Sequence, residues 1–590
     1  MSALFVLLLL LLATVLLATE RLRADVVAML VLALLILMRI LEPGQAFSGF
    51  SNSATVTVGC MFVISAGLQS SGVVQYIGDR LLRHGPSSGT GLMLFSGLVI
   101  APISAFINNT AAVAVFLPVI LRASHDNKVS PSKLMMPLSY FAMLGGTCTL
   151  IGTSTNIVVS SIAAERGFEP FGMFEFSQLG LVMLVCGGGY LMVFGRHLIR
   201  ERVQPESLTE GFHLNRYLGE VIVLEGSPLT GKTLVEAELG ERFDLEVLGH
   251  VRDKVMRSVP GGFHTLEEGD ILLVKAPAAA LVRLRESAGI AVRSGQRPGD
   301  TQLRFADSAL IEAVVTPNSD LDGRTLKGVD FRNRFGATAL AIRRHGEDIR
   351  EKIGHVRLTV GDELLILAPR MNLERLRRQT SFVTLEELEV PVIQPVKAFI
   401  AAAIVAGVVA VATAGWYRIA DVAVGGAVLM VVSGCLPARR VYEYIDWRVI
   451  FLLAGLIPLG LALESSGAAE QAVHLLLALT GDWGPTVVLS IFFLLTALLT
   501  GAMSNVATAA LLAPLAITCA GALGVDPRPF LVAVTFAASA AFYTPIGYQT
   551  NLLVYGPGGY RFLDFVRVGG PLTLLTWLLA TLLIPILFPF

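Results

Sequence analysis

Ala105-Phe106-Ile107-Asn108-Asn109-Thr110-Ala111-Ala112, followed by Pro118, returns later in the chain as Ala502-Met503-Ser504-Asn505-Val506-Ala507-Thr508, followed by Pro514. Downstream of each, Gly152-Thr153-Ser154-Thr155-Asn156 returns as Gly547-Tyr548-Gln549-Thr550-Asn551. The offset is 396 residues for the first pair and 395 for the second, so one deletion relates all four motifs. Two motifs agreeing at one offset point to an internal duplication. All four are rich in hydroxyls, amides and glycine, none contains Lys or Arg, and each interrupts an apolar stretch.

The apolar surroundings set the fold class. Of 590 residues, 54% are hydrophobic and 15% charged, against about 25% charged in an average soluble domain. The deficit is uneven: 1–199 and 396–590 are mostly apolar runs, and 200–390 holds most of the charge. A net charge of −1 offers no basic field for nucleic acid. Cys60, Cys148, Cys186, Cys435 and Cys519 have no paired spacing and read as buried free thiols.

A helix needs about 20 apolar residues to cross a bilayer. Runs of suitable length are 2–19, 24–41, 54–78, 134–163 and 173–195, then 397–414, 419–436, 448–464, 530–556 and 568–588. The first resembles a signal peptide, but it lacks a basic flank and a second apolar run follows at once, so it reads as a retained span. The stretches 91–121 and 485–520 are broken in the middle, at Asn108–Thr110 and Ser504–Val506. Each half is too short to span comfortably, which predicts re-entrant hairpins.

Basic loop residues, among them Arg21, Arg80, Lys133, Arg200, Arg439 and Arg567, then fall on one side. This fits the positive-inside rule if both hairpins re-enter. It predicts a cytoplasmic insert, both termini outside, and two halves of five spans entering from opposite faces, an inverted repeat.

Polar runs at membrane depth are tolerated where they face protein or a water-filled cavity. Two lie at hairpin tips, and two (Thr153 to Asn156, Thr544 to Asn551) break long helices. Helix ends meeting at midplane turn N–H groups toward an anion, while freed carbonyls and side-chain oxygens can hold a hard cation such as sodium. Such a site binds an anion without any lysine or arginine if co-transported cations supply the charge.

At these residues the chain resembles the divalent anion:sodium symporter family, which carries a Ser-Asn-Thr motif at a hairpin tip in each half. The resemblance covers about 400 residues, both membrane halves. Position by position, the motifs fall on Asn108-Asn109-Thr110 and Ser504-Asn505-Val506, with Asn108 in place of Ser, Val506 in place of Thr, and Thr508 close by. The resemblance implies an all-α polytopic fold with inverted repeats. It implies substrate contacts from Asn108, Asn109, Thr110, Ser154, Thr155, Asn156, Ser504, Asn505, Thr508, Gln549, Thr550 and Asn551. Sodium would be held by Asn109, Gly152, Thr153, Asn156, Asn505, Thr544, Gly547 and Asn551. It further implies a homodimer in the inner (plasma) membrane, an elevator-type motion, and no cofactor beyond the coupling ions. The Thr544–Asn551 stretch together with a central insert looks most like the branch associated with sulfate uptake.

The insert is itself duplicated. Leu229-Thr-Gly-Lys-Thr-Leu234 and Gly269-Asp-Ile-Leu-Leu273 match Leu321-Asp-Gly-Arg-Thr-Leu326 and Gly361-Asp-Glu-Leu-Leu365, 92 residues on. Alternating residues predict small α+β units at 205–295 and 300–388. They resemble the C-terminal ligand-binding module of TrkA-type potassium regulators, which implies a small regulatory ligand. Gly226-Ser-Pro-Leu-Thr-Gly-Lys-Thr233 fits the P-loop pattern. Its internal proline, and the absence of the first glycine from its twin, argue against nucleotide binding.

The leading reading is sodium-coupled symport of a divalent oxyanion, with sulfate favoured. A dicarboxylate or other organic-anion carrier is the neighbouring alternative. A ligand-gated channel would need a selectivity filter, and neither TVGYG nor charge rings appear. No nucleophile–base arrangement or metal-ligand cluster suggests an enzyme.

Overall fold

The computed structural model describes residues 2–19, 22–73, 76, 86, 88–202, 218–233, 236–237, 246–252, 255–258, 265–275, 290–292, 308–316, 319–344, 347–349, 353–377, 379, 381–384, 395–471, 473 and 484–590. The chain divides into two units, Met1–Arg202 with Glu387–Phe590 and Val203–Glu386.

The first unit is helical, and among the described residues its longer helices fall into two sets of eight. The first set is α1 (Ser2–Thr19), α2 (Ala24–Leu37), α3 (Ser53–Ser70), α4 (Gly89–Ser104), α5 (Asn109–Asp126), α6 (Ser132–Gly146), α7 (Ser154–Glu165) and α8 (Ser177–Leu198). The second is α9 (Pro395–Thr413), α10 (Ile419–Val432), α11 (Trp447–Ser465), α12 (Pro485–Thr500), α13 (Asn505–Leu523), α14 (Arg528–Ala538), α15 (Gln549–Tyr555) and α16 (Phe562–Leu587). Short helical turns follow the second helix of each set, at Pro43–Ala46 and Ser48–Ser51 and at Val441–Tyr444. They were not visible as apolar periodicity.

Packing between the sets comes in matched pairs. α2 packs on α11 and α10 on α3; α5 on α15 and α13 on α7; α6 on α15 and α14 on α7. The sets thus interlock across the unit. Three ion pairs add to this: Arg166–Glu464 at 2.7 Å, Arg202–Asp564 at 2.6 Å, and a two-pronged Arg528–Glu175 pair at 2.6 and 2.7 Å. The Arg528 guanidinium also lies 4.6 Å from the centre of the Phe171 ring.

The expected break points are where the helices end. The 134–163 run is two helices, α6 and α7, and the 530–556 run is α14 and α15. The stretches 91–121 and 485–520 are helix–turn–helix, with α4 packed on α5 and α12 on α13. The span count differs from expectation. Among the described residues six helices are long and apolar enough to cross a membrane: α3, α8, α9, α11, α13 and α16. α2, α4, α10, α12 and α14 are shorter, because turns close these helices before the apolar sequence runs out. α13, with 19 residues, is long enough to span, so the expectation that both arms of that hairpin are too short does not hold.

The second unit contains two five-stranded antiparallel sheets. The strands of the first are β1 (Leu218–Val223), β2 (Glu246–Arg252), β3 (Val255–Ser258), β4 (Ile271–Lys275) and β5 (Ile290–Val292). Those of the second are β6 (Ser308–Val315), β7 (Thr338–Arg344), β8 (Glu347–Asp348), β9 (Glu363–Pro369) and β10 (Phe382–Thr384). The spatial order is β3-β2-β4-β1-β5 in one and, read in the same direction, β8-β7-β9-β6-β10 in the other. The register shift at Val247/Gly249 recurs at Ala339/Ala341, and the bridge Thr233–Thr265 recurs as Thr325–Arg357. A buried aspartate clamps an arginine in each: Arg252 on Asp270 at 2.8 and 2.7 Å, and Arg344 on Asp362 at 2.7 and 2.7 Å. All of these pairs are 92 residues apart, the offset seen in the sequence.

Candidate functional site

Each hairpin tip is made by a capped helix start. The first N–H groups of a helix have no partner within it, so a side-chain oxygen one residue ahead satisfies them. Asn108 Oδ1 accepts from the Thr110 N–H at 3.0 Å, and Ser504 Oγ accepts from the Ala507 N–H at 3.3 Å. Asn and Ser cap about equally well, so Asn108 keeps the geometry that a serine there would give.

Behind each tip the broken helix docks through one hydrogen-bond set used twice. In the first half the Thr149 hydroxyl donates to the tip carbonyl of Ala105, the Gly152 N–H donates to Thr149 Oγ1 at 3.2 Å, and Asn156 Nδ2 donates to the Thr149 carbonyl at 2.7 Å. In the second, the Thr544 hydroxyl donates to the Gly501 carbonyl at 2.9 Å, the Gly547 N–H to Thr544 Oγ1 at 3.0 Å, and Asn551 Nδ2 to the Thr544 carbonyl at 2.9 Å. The glycines are needed for close approach. A Cβ on Gly152 would lie 2.4 Å from the Gly146 carbonyl oxygen, and one on Gly547 would lie 2.7 Å from that of Thr500.

The two halves meet at a residue the sequence reading passed over. Asn109 is buried; its Oδ1 accepts from the Ser104 hydroxyl at 2.7 Å, and its Nδ2 donates to the Tyr548 hydroxyl at 2.6 Å. Thr153 Oγ1 is 3.5 Å from the same phenol oxygen, and the Asn505 side chain also hydrogen-bonds it. One phenol thus joins both tips and the first helix break. A signal for it was present, because Tyr548 aligns with Thr153 at the 395-residue offset. It is the one large side chain in the five-residue motif.

The other expected residues divide as follows. Thr110 Oγ1 donates to Gln549 Oε1 at 3.0 Å, linking α5 to α15. Asn108, Gly152 and Ser154 line a narrow cleft together with Ser65, Phe62 and Phe106. Thr550 and Asn551 face α6 instead, where the Ser139 hydroxyl lies 2.8 Å from Thr550 Oγ1 and 2.7 Å from Asn551 Oδ1. Thr155 and Asn156 are fully buried. Thr508, expected to stand in for the missing Thr at position 506, donates to the Ser504 carbonyl of its own helix at 3.1 Å and is fully buried. A hydroxyl one helical turn along is too deep to replace one at the tip.

No Lys or Arg takes part in these contacts. The cleft is lined by Asn108, Ser65, Ser154 and Gly152 and by apolar side chains that include Phe62, Phe106 and Ile157, and neither Thr153 nor Tyr548 caps the following helix with its side chain. In the first turn of α7 the Asn156 N–H bonds back to the Thr153 carbonyl at 3.2 Å, so the turn is closed by backbone and not by a capping side chain.

Residues 14–529 match the family described as "Citrate transporter". The chain belongs to the citrate transporter family. Within it, the chain is 39% identical to an uncharacterized transporter of Synechocystis sp., over 99% of this chain and 96% of that one. It is 33% identical to an uncharacterized transporter of Escherichia coli K12, over 99% of each. Sodium/sulfate cotransporter 1 of Chlamydomonas reinhardtii is 22% identical over 90% of this chain and 84% of its own length. Family and apolar helices together make this a multi-pass membrane transporter. The P-loop-like segment Gly226–Thr233 is bonded within itself and to its neighbours. Its N–H groups are spent internally: Gly231 on Leu266 at 2.8 Å, Lys232 on Leu229 at 3.2 Å and Thr233 on Glu236 at 2.8 Å. A phosphate-binding loop needs those groups free.

Proposed function

We propose that the chain carries a small divalent oxyanion, sulfate in first place, into the cell together with sodium. The observation that supports this most is the convergence of Asn109, Thr153 and Asn505 on Tyr548 beside a cleft lined by Asn108, Gly152 and Ser154. Such a site offers hydrogen-bond donors but no fixed positive charge, so a divalent anion needs accompanying cations to be held there. Oxygen-rich clusters for them lie behind each tip: Asn109, Gly152, Thr153 and Asn156 on one side, and Asn505, Thr544, Gly547 and Asn551 on the other. The name of the algal relative favours sulfate and sodium.

In this reading the halves enter the bilayer from opposite faces. The hairpins re-enter, the insert lies in the cytoplasm, both termini lie outside, and the protein sits as a homodimer in the inner membrane. α1, α2, α9 and α10 carry no motif and serve as scaffold, against which the hairpin-bearing part moves as an elevator. The duplicated insert, with its resemblance to TrkA-type modules, binds a small regulatory ligand.

A carboxylate carrier is the second reading, favoured by the family description. One experiment separates them. Purified protein in proteoliposomes is given radiolabelled sulfate with and without an inward sodium gradient, then with excess citrate or succinate. Sodium-driven uptake indifferent to carboxylates is expected. Uptake unaffected by sodium would refute the coupling, and displacement of sulfate by carboxylate would transfer the assignment to the second reading.

A further inference from the structure

The two halves repeat the hydrogen bonds that dock each broken helix behind its tip, and they differ at one buried pair of positions next to those bonds. α6 packs on α15, and its counterpart α14 packs on α7. In the first contact one hydroxyl, Ser139 Oγ, sits within hydrogen-bond distance of two oxygens on adjacent residues, donating to Asn551 Oδ1 while the Thr550 hydroxyl can donate to it in turn. In the second contact the position matching Ser139 is Val534, 395 residues on and fully buried, which offers no polar atom. Thr155 Oγ1 and Asn156 Oδ1, the counterparts of Thr550 Oγ1 and Asn551 Oδ1, have no hydrogen-bond partner among the described residues, and both side chains are fully buried.

Leaving two buried oxygens without donors is costly, and native proteins rarely do so without reason. The orientation of the Asn156 amide is fixed, because its Nδ2 donates to the Thr149 carbonyl at 2.7 Å and only the oxygen remains. The groups left over are an amide oxygen and a hydroxyl whose lone pairs are also open, with no positive charge among them. Hard monovalent and divalent cations take such ligands.

We propose that one coupling cation is held in the first half, by Asn156 Oδ1 and Thr155 Oγ1, and that in the second half the Ser139 hydroxyl takes the cation's place. The cation sites of the two halves are then not equivalent. This rests on the sodium-coupled reading above and narrows it: Asn551 is a structural residue and not a cation ligand.

The test exchanges the two positions in the full-length protein. Val534→Ser supplies the missing hydroxyl, and Val534→Ala shortens the side chain without one. Relative to Val534→Ala, Val534→Ser should raise the sodium concentration for half-maximal sulfate uptake by about tenfold or more. It should also lose the rise in thermal unfolding temperature that sodium gives the purified wild type. Ser139→Ala releases Thr550 and Asn551, so it should steepen the dependence of uptake on sodium. Equal sodium responses in the two Val534 variants, in uptake and in melting, would overturn the inference while leaving sodium coupling intact. A wild type that ignores sodium in both measurements would overturn this inference and the sodium reading together.

Discussion

At the scale of single residues, Tyr548 makes the sharpest prediction. Its hydroxyl joins Asn109 and Asn505 across the two halves. Tyr548→Phe keeps the ring and leaves those amides short of a partner. Unpaired buried polar groups cost about 1–3 kcal/mol, so sulfate uptake should fall by about ten- to a hundredfold. Circular dichroism and melting should show a folded protein. In the insert, burial pushes the Glu312 carboxyl up, with the Arg343 charge pulling against it. An acid whose folded value is raised binds its proton more tightly when folded. Stability is therefore lost as pH rises from the ordinary glutamate range, about 4.3, through the raised value. Glu312→Gln should flatten that loss, read as the unfolding temperature of the insert in the full-length protein between mildly acidic and neutral pH.

At the scale of elements, the helix breaks and hairpins hold each other through glycine contacts too close for a side chain. A Cβ on Gly146 would lie 2.2 Å from Asn109 Oδ1. Gly146→Ala and Gly152→Ala should each push a tip off its broken helix at a cost of about 1–3 kcal/mol, and uptake should fall further than stability does. Gly189→Ala, with nothing within 4 Å, should leave both unchanged. Arg528 and Glu175 tie the sets by charge while both are partly exposed. A double-mutant cycle with Arg528→Gln and Glu175→Gln should return a coupling of about 1 kcal/mol.

The element level also separates what the sequence could reveal from what it could not. That each long run breaks was legible, because polar runs inside apolar stretches have few places to go in a membrane. The bounds were not: the breaks expected at Thr153–Asn156 and Thr544–Asn551 lie at Thr147–Thr153 and Ser539–Tyr548, and Ser154–Asn156 and Gln549–Asn551 open α7 and α15. The duplication was legible from one shared offset. The partnering of Ser139 was not: a lone serine in an apolar helix reads as packing, and only the contact of α6 with α15 brings it two oxygens within hydrogen-bond distance. Tyr548 was not legible as a site residue, because an aromatic inside an apolar stretch reads as packing until its hydroxyl is seen to meet Asn109. The helix lengths were overestimated because an apolar run says nothing about where a turn closes it.

At the scale of the molecule, the membrane unit is one body held by contacts between its own halves, and residues 203–386 form another. The chain leaves toward the insert from a firmly bonded strap: Lys133 Nζ donates to the carbonyls of Arg196 and Ile199 at 2.8 and 2.6 Å, and Ser130 and Ser132 to those of Arg202 and Arg200 at 2.7 and 3.0 Å. Deleting 205–388 should therefore leave a membrane unit that folds and keeps sodium-dependent sulfate binding, measured on the purified protein by radioligand binding, while regulation or assembly changes. The paired half-sites also carry a genetic consequence. In a true symmetric dimer one codon writes both copies of every residue, and a site on the axis must stay symmetric. Here Thr153 and Tyr548, or Ser139 and Val534, are spelled by separate codons. A point mutation can retune one side of the cage and leave the other as it was, so the two half-sites are free to diverge.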